Sequence, residues 1–237
     1  MLKRAISLLL LALPLFFSVP QAEGRSPGPM FQVATGKATF YSDSFHGKKT
    51  ANGERYDKHA FTAAHRSLPL GTIVRVTNLS NGRNLLVRIN DRGPAKKKLI
   101  LDVSKAAAHR LNMVRRGVIP VQVEVVADKR GVPVHRGSAF YVKVAEAKSL
   151  KDGQRKIVAL ASGRAQKSKT SRQHARPVTN ELRLLSESAP DGRTRYFVGQ
   201  GPFTRYRDAV SALRKAKDRH AQASLACLPV TVAENTR

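Results

Sequence analysis

Two short segments joined by a turn constrain this chain more than any other feature. In "TIVRVTNLSNGRNLLVRINDRGP", residues 72–94, Ile73, Arg75 and Thr77 alternate with Val74 and Val76. Leu85, Val87 and Ile89 then alternate with Leu86, Arg88 and Asn90. A period of two is that of a half-buried β-strand. Asn81-Gly82 between the segments supplies residues that accept positive φ, a strong hairpin signal. Gly93-Pro94 ends the second strand. Such a hairpin needs a sheet or barrel to bury its aliphatic face. It also leaves one carboxylate, Asp91, at a strand mouth between Asn90 and Arg92.

Further strands are predicted at "KATFYS", "LILDVS" and "PVQVEVV". Ser104 is placed to cap a short helix running to Met113 or Val114, with Val103, Ala107, Leu111 and Val114 on its apolar face. Several short strands, one small helix and regular turns predict a compact β-barrel of about 90 residues. Residues 127–137, "ADKRGVPVHRG", read as a linker. Beyond it, "FYVKVAEAKSLKDGQRKIVALA" can be laid on "YFVGQGPFTRYRDAVSALRKAK", each a strand, a turn and a basic amphipathic helix. The second helix would bury Tyr206, Ala209, Val210, Leu213 and Ala216, with Thr204 as its N-cap. The stretch "SGRAQKSKTSRQHARPVTN" between the copies reads as a polar, basic loop, and "LRLLSES" and "LACLPVTV" as strands. The order β-α-β-β-α-β is ferredoxin-like. The fold class expected is thus mainly β plus α+β, with the barrel over residues 34–127 and the second unit over residues 138–237.

Lys3 and Arg4 precede the apolar run "AISLLLLALPLFFSV", and the small residues Ala22 and Gly24 follow. That order is a secretory signal over residues 1–24, with cleavage after Ala22 or Gly24. Export as a soluble protein is the expectation. Cys227 is the one cysteine, so no intramolecular disulfide can form, and no cysteine near the cleavage site invites a lipid anchor. The seven histidines are scattered, so neither a structural metal nor a cofactor is expected. The formal charge of +27 attracts polyanions. Past a secretory signal these are cell-wall polymers, acidic glycans and lipid head groups. Nucleic acid is disfavoured both by export and by the lack of an RNP-type aromatic motif.

The barrel segment carries six carboxylates: Asp43, Glu54, Asp57, Asp91, Asp102 and Glu124. Glu124 alternates with buried valines and should face solvent. Asp102, in an apolar strand before a helix cap, reads as structural, and Asp43 and Asp57 lie in turn-like sequence. Glu54, in "TANGERYD", and Asp91 remain as candidates for chemistry, joined by His65 of "TAAH". Each also has an ordinary reading, as a solvated loop acid, a turn Asp and a hydrogen-bonded barrel histidine respectively.

The run "GKATFYSDSFHGKKTANGERYDKHAFTAAHRSLPLGTIVRVTNLSNGRNLLVRINDRGP", followed by "LDVSKAAAHRLNM", closely resembles the rare lipoprotein A (RlpA) family over about residues 36–126. "TANGE", "TAAH…LPLGT", "VTN…NGR" and "RINDRGP" occur in order at the family's spacing. The resemblance implies a double-psi β-barrel and a periplasmic lytic transglycosylase acting on peptidoglycan glycan strands, with 1,6-anhydromuramic acid ends as product. The alternative is a noncatalytic, expansin-like wall binder. Asp91 matches the family's catalytic aspartate, and Glu54 and His65 match its other active-site positions. Tyr41, Asn52, Arg88, Asn90 and Arg92 are the implied substrate-binding residues. In the mechanism Asp91 starts protonated, while Arg88 and Arg92 should point away from it or contact sugar. Ser42 stands where a Gly commonly follows the aromatic-Tyr pair, and Ala95-Lys96 where an aromatic usually follows "DRGP". The C-terminal unit is similar to a divergent SPOR domain, a ferredoxin-like module that binds glycan strands stripped of stem peptides. "YFVGQGPF" keeps the signature of its second repeat, and "FYVKVAEAKS" lacks that of the first. Cell-division or wall-synthesis proteins are the partners such a role implies.

Overall fold

The computed structural model describes residues 33–165, 182–188 and 192–229. The expected signal segment and most of the basic stretch 162–180 lie outside them. Six strands close into a barrel: β1 (Val33–Phe40), β2 (Thr62–Ala64), β3 (Ile73–Asn78), β4 (Asn84–Asp91), β5 (Leu101–Val103) and β6 (Ile119–Ala127). Their order around the barrel is β1-β5-β2-β4-β3-β6. The contacts β1–β5 and β2–β4 are parallel, and the others antiparallel. Val74, Val76, Leu85, Val87 and Ile89 face the interior with Val121 and Val123, as the period of two requires. β2 was not legible in the sequence. Three residues are too few to show a period, and its Thr-Ala-Ala has little apolar bulk.

Helix α1 (Lys105–Arg110) plugs one end of the barrel through Ala107 and Ala108. The Ser104 hydroxyl accepts the Ala107 N–H at 3.2 Å and caps it as expected. The helix stops sooner than the apolar spacing suggests, because Asn112 adopts a left-handed φ of 56°. Leu111 and Met113 remain in the core beyond that point.

A four-stranded antiparallel sheet follows, formed by β7 (Ser138–Ala147), β8 (Leu182–Ser188), β9 (Thr194–Phe203) and β10 (Ser224–Pro229), in the order β10-β7-β9-β8. Helices α2 (Leu150–Ala165) and α3 (Tyr206–Lys217) pack on it. Helix α2 runs to Ala165, beyond the end expected for it, and Arg205 rather than Thr204 occupies the N-cap of α3. Ala209, Leu213 and Ala216 form the buried face of α3.

The barrel and the sheet share a core. Ile73 and Leu86 point outward from the barrel and pack with Val126, Ala127, Phe140, Val142, Leu213 and Leu225. Polar contacts line the same seam. The Arg75 guanidinium donates to the carbonyl of Cys227, Arg110 to that of Ala223 at 2.7 Å, and Arg195 to that of Gly82 at 3.0 Å. Lys143 and Glu187 form an ion pair at 2.7 Å that also takes in the Asn84 amide at 3.3 Å. Burial pushes the Lys143 ammonium down against the pull of Glu187. Glu124 does not face free solvent, since it lies in the seam and pairs with Arg75 at 3.1 Å. The stretch read as a linker is an ordered turn. Asp128 accepts the N–H groups of Arg130 and Val132, Val134 returns to Val126, and Gly131 accepts the N–H of Tyr206.

Leu86 therefore stabilises the chain although it faces away from the barrel's own interior. Leu86→Ala should cost about 2–5 kcal/mol, as for a core leucine. Urea denaturation of the whole chain checks this. A loss under about 0.5 kcal/mol, the size of an ordinary surface change, would show that the seam is not a core.

Candidate active site

Asp91 is the last residue of β4, where parallel pairing with β2 places it opposite Ala64 across a register shift between Ala63 and Ala64. Its backbone carbonyl accepts the His65 N–H at 3.2 Å. Its carboxylate collects three donors: the Tyr41 hydroxyl at 2.7 Å on Oδ2, and the N–H groups of Ala51 and Arg92, each at 2.8 Å, on Oδ1. Tyr41 is itself fixed by rings, with Tyr56 at 4.7 Å and the edge of Phe45 at 5.6 Å between centroids. Burial, then the bond to Asp91, push the Tyr41 hydroxyl well above its ordinary range, so it stays a donor.

Glu54 does not touch Asp91. Its Oε1 accepts Arg88 at 2.7 Å and the buried amide of Asn90 at 2.6 Å. Burial raises the Glu54 carboxyl, but hydrogen bonds from Arg88 and Asn90 outweigh it and the net shift is downward. Asn52 shapes this loop, its Oδ1 accepting the Thr50 hydroxyl at 2.7 Å and the Glu54 N–H at 3.1 Å, while its own N–H reaches the carbonyl of Asn90. Arg92 turns away from Asp91 to the carbonyls of His65 and Leu68, at 3.3 and 3.0 Å. Arg88, paired to Glu54, also leaves the acid alone.

His65 follows β2. Its Nδ1 accepts the N–H groups of Ser67 and Leu68 at 3.3 and 3.0 Å, which leaves Nε2 to carry the proton of the neutral ring. Burial first, then the charges of Arg66 and Arg92, hold the imidazole below its ordinary value of 6.5. The eight candidates thus converge on one rim, but as two clusters. Asp91 is held by Tyr41 and backbone N–H groups, while Glu54 is held by Arg88 and Asn90.

The structure adds a ninth residue, Asp102. The sequence reading made it structural, yet it sits opposite Ala64 on the other side, so the two aspartates flank one β2 residue. Its Oδ1 is buried without a hydrogen-bond partner among the described residues. Burial pushes its carboxyl up; Arg66 opposes this, Asp91 reinforces it and Lys96 opposes it. Gly93 separates the acids. At its φ of 147° a side chain is disfavoured, and a Cβ there would lie 3.5 Å from that of Ala64 and 3.7 Å from Oδ2 of Asp102. The available signal was a second acid in an apolar strand eleven residues beyond the first. Among the described residues no cluster of His, Cys, Asp and Glu could hold a metal ion.

The family described as lytic transglycolase matches residues 33–123. The endolytic peptidoglycan transglycosylase RlpA of Neisseria meningitidis serogroup B is 36% identical over 198 residues, covering 82% of this chain and 77% of that protein. The protein of the same name from Campylobacter jejuni is 50% identical over 95 residues, covering 40% of this chain and 34% of the relative. Among solved structures, the Streptomyces papain inhibitor is 28% identical, with a TM-score of 0.36, covering 42% of this chain and 98% of that one. An apo expansin from Clavibacter michiganensis is 19% identical, with a TM-score of 0.34, covering 73% of this chain and 80% of that one.

The lowered values of His65 and Glu54 have the same sign for stability. Each group binds its proton more readily in the unfolded chain, so its contribution is full above the ordinary value and is lost as pH falls through the folded one. For His65 the loss begins near 6.5 and for Glu54 near 4.5. Melting temperature should therefore already fall between pH 7 and pH 5, and His65→Gln should flatten that limb. An unchanged slope in the variant would show that the ring does not contribute.

Proposed function

The chain belongs to the RlpA family of endolytic peptidoglycan transglycosylases, and from that premise we propose that it cleaves peptidoglycan glycan strands without water, leaving 1,6-anhydromuramic acid ends. The observation that carries the assignment of roles is the setting of Asp91, one carboxyl at a strand mouth aimed by Tyr41 and two backbone N–H groups. Lytic transglycosylation needs one proton that cycles. The carboxyl gives it to the departing glycosidic oxygen as the bond to the anomeric carbon breaks. The C6 hydroxyl of the same muramic residue attacks that carbon and returns its own proton to the carboxylate. No second carboxylate is needed to activate water, unlike hydrolysis of the same bond.

Tyr41 positions Asp91, and its high hydroxyl value keeps it a donor throughout the cycle. Asp102, whose carboxyl burial pushes up, lies across Ala64 from Asp91 on the same rim, close enough to contact a sugar bound there. Glu54, pinned by Arg88 and Asn90, anchors the opposite side of the rim, and neutral His65 offers an Nε2–H donor. The C-terminal unit we read as a ferredoxin-like, SPOR-type module that binds denuded glycan, a reading supported by its strand-helix-strand-strand-helix-strand sequence and sheet order β10-β7-β9-β8. We read residues 1–24 as an export signal, with the mature protein acting in the periplasm, a reading supported by the basic, apolar and small-residue order of that segment.

Asp91→Asn keeps the size of the side chain but cannot cycle a proton. It should fold and bind strands as the parent does while its yield of anhydro-ended fragments falls about 10²- to 10⁴-fold. Mass spectrometry of digested, denuded peptidoglycan reads the chain ends. Equal yields from both proteins would remove Asp91 from the mechanism. A parent protein that binds but releases no anhydro ends would favour the expansin-like alternative.

A further inference from the structure

Four segments meet at one end of the barrel, residues 36–39, 78–81, 94–100 and 111–120, and none of them contains an acid. Hydrogen bonds tie them together. The Leu79 N–H donates to the carbonyl of Pro120 at 3.0 Å, and Pro120 stands opposite Lys37 where β6 pairs with β1. The Ile100 N–H donates to the carbonyl of Lys37 at 2.8 Å. The Thr39 hydroxyl donates to the carbonyl of Gly117 at 3.2 Å. The side-chain amides of Asn78 and Asn81 both donate to the carbonyl of Leu111, at 2.9 and 3.2 Å. The four segments therefore form one continuous surface.

Lys37, Lys96, Lys97, Lys98, Arg115 and Arg116 are the cations of this surface, and all are exposed. None has an ion pair or side-chain hydrogen bond with another described residue. Both loops that carry them are fixed. Arg115 and Arg116 lie on a tight turn in which the N–H groups of Arg116 and Gly117 donate to the carbonyl of Met113, itself buried in the barrel core. The lysines lie on a strap whose backbone Arg66 pins, its guanidinium donating to the carbonyls of Pro94, Lys96 and Leu99 at 3.1, 2.7 and 2.6 Å. Two large aliphatic side chains accompany the charges. Val118, 45% exposed, follows the arginine turn and lines a groove together with the three lysines. Leu79, 39% exposed, is joined to the same surface through Pro120. Asp102 is the one carboxyl lining that groove.

Fixed cations around exposed aliphatic side chains suit a partner in which negative charge lies beside hydrocarbon. A soluble polyanion takes the charges but leaves Leu79 and Val118 in water. A bilayer with acidic phospholipids satisfies both, its phosphates meeting the cations and its acyl boundary meeting the aliphatic tips. We propose that this end of the barrel docks on a bilayer bearing acidic phospholipids, with Leu79 and Val118 entering the head-group layer and the six cations named above pairing with phosphates around them. The proposal is independent of the transglycosylase reading, because docking is measured without any glycan present.

The test uses the protein without residues 1–24, which keeps every described residue. It is titrated with vesicles of phosphatidylcholine alone and of phosphatidylcholine mixed with phosphatidylglycerol. Co-sedimentation should show binding to the acidic vesicles only. Lys37→Gln, Arg115→Gln and Arg116→Gln combined should lower the partition coefficient about 20- to 100-fold, since each cation near such a surface is worth about fivefold. Lys129→Gln, Arg130→Gln and Arg136→Gln remove the same charge from the turn at the other end of β6. They should lower it less than about fivefold, because charges more than about 10 Å away are screened at roughly 0.1 M salt. The chain contains no tryptophan, so Val118→Trp and Val132→Trp each introduce a single reporter. Val132 is 42% exposed in that far turn. On acidic vesicles the emission of the Val118→Trp protein should move to shorter wavelength, and that of the Val132→Trp protein should stay as in water. Equal losses in the two charge variants, equal shifts from the two reporters, or no binding to acidic vesicles overturns the proposal. So does competition by inorganic polyphosphate without any shift of the Val118→Trp emission on vesicles, which would assign the surface to soluble polyanions.

Discussion

The site depends on a strand of three residues. Thr62, Ala63 and Ala64 of β2 are all buried and lie between β4 and β5, parallel to one and antiparallel to the other. The shift in register at Ala64 places that residue opposite Asp91 on one side and Asp102 on the other. Side chains alternate with a period of two, so a one-residue slip would turn either aspartate to the other face. Ala64 also packs against the turn that separates the acids. Its Cβ stands 3.5 Å from where a side chain on Gly93 would begin, so the turn between the two acids closes over an alanine and a glycine. At Gly93 the constraint is its φ of 147°, which a side chain would strain.

Around that strand the protein separates charges it must neutralise from charges it leaves open. Glu54 is satisfied by Arg88 and Asn90, and Arg92 by the carbonyls of His65 and Leu68. None of these spends its charge on Asp91, whose oxygens are held by a phenol and backbone N–H groups. In contrast, Lys97 and Lys98 face the groove without partners among the described residues. Formal charge alone said that the chain attracts polyanions. The fold puts part of that charge on a strap whose backbone is pinned by Arg66.

The seam between the barrel and the sheet has a functional consequence. Arg88 belongs to the same strand as Leu86, and Leu86 is packed under the second sheet. Burial of the Tyr206 hydroxyl, which raises its value to about 12, is opposed by the nearby Arg88 charge. The residue that holds Glu54 is thus within electrostatic range of Tyr206, the first residue of α3. The second unit supports one side of the rim in addition to any binding of its own.

Much of this was legible in the sequence because it depends on local period and local turns. The alternation of Val74, Val76, Leu85, Val87 and Ile89 fixes which faces are inside, and Asn81-Gly82 and Gly93-Pro94 mark the turns. Ser104 announces its helix because capping is a contact three residues away. The strand-helix order of the C-terminal unit is likewise a matter of period. What stayed hidden arises from pairing between distant segments. β2 has no period to detect, and it forms because β4 and β5 offer it hydrogen bonds on both sides. Asp102 looks structural in a row of aliphatic residues, and becomes part of the rim only through the register it shares with Asp91 across Ala64. Glu124 looks solvated until Arg75 and the second sheet cover it, and residues 127–137 look like a linker until Asp128 and Gly131 fold them back. The sequence by itself determined the strands, the turns and the presence of an acid at the end of β4. Tertiary structure decided which polar groups meet that acid, because hydrogen bonds between residues tens of positions apart exist only once the barrel has closed.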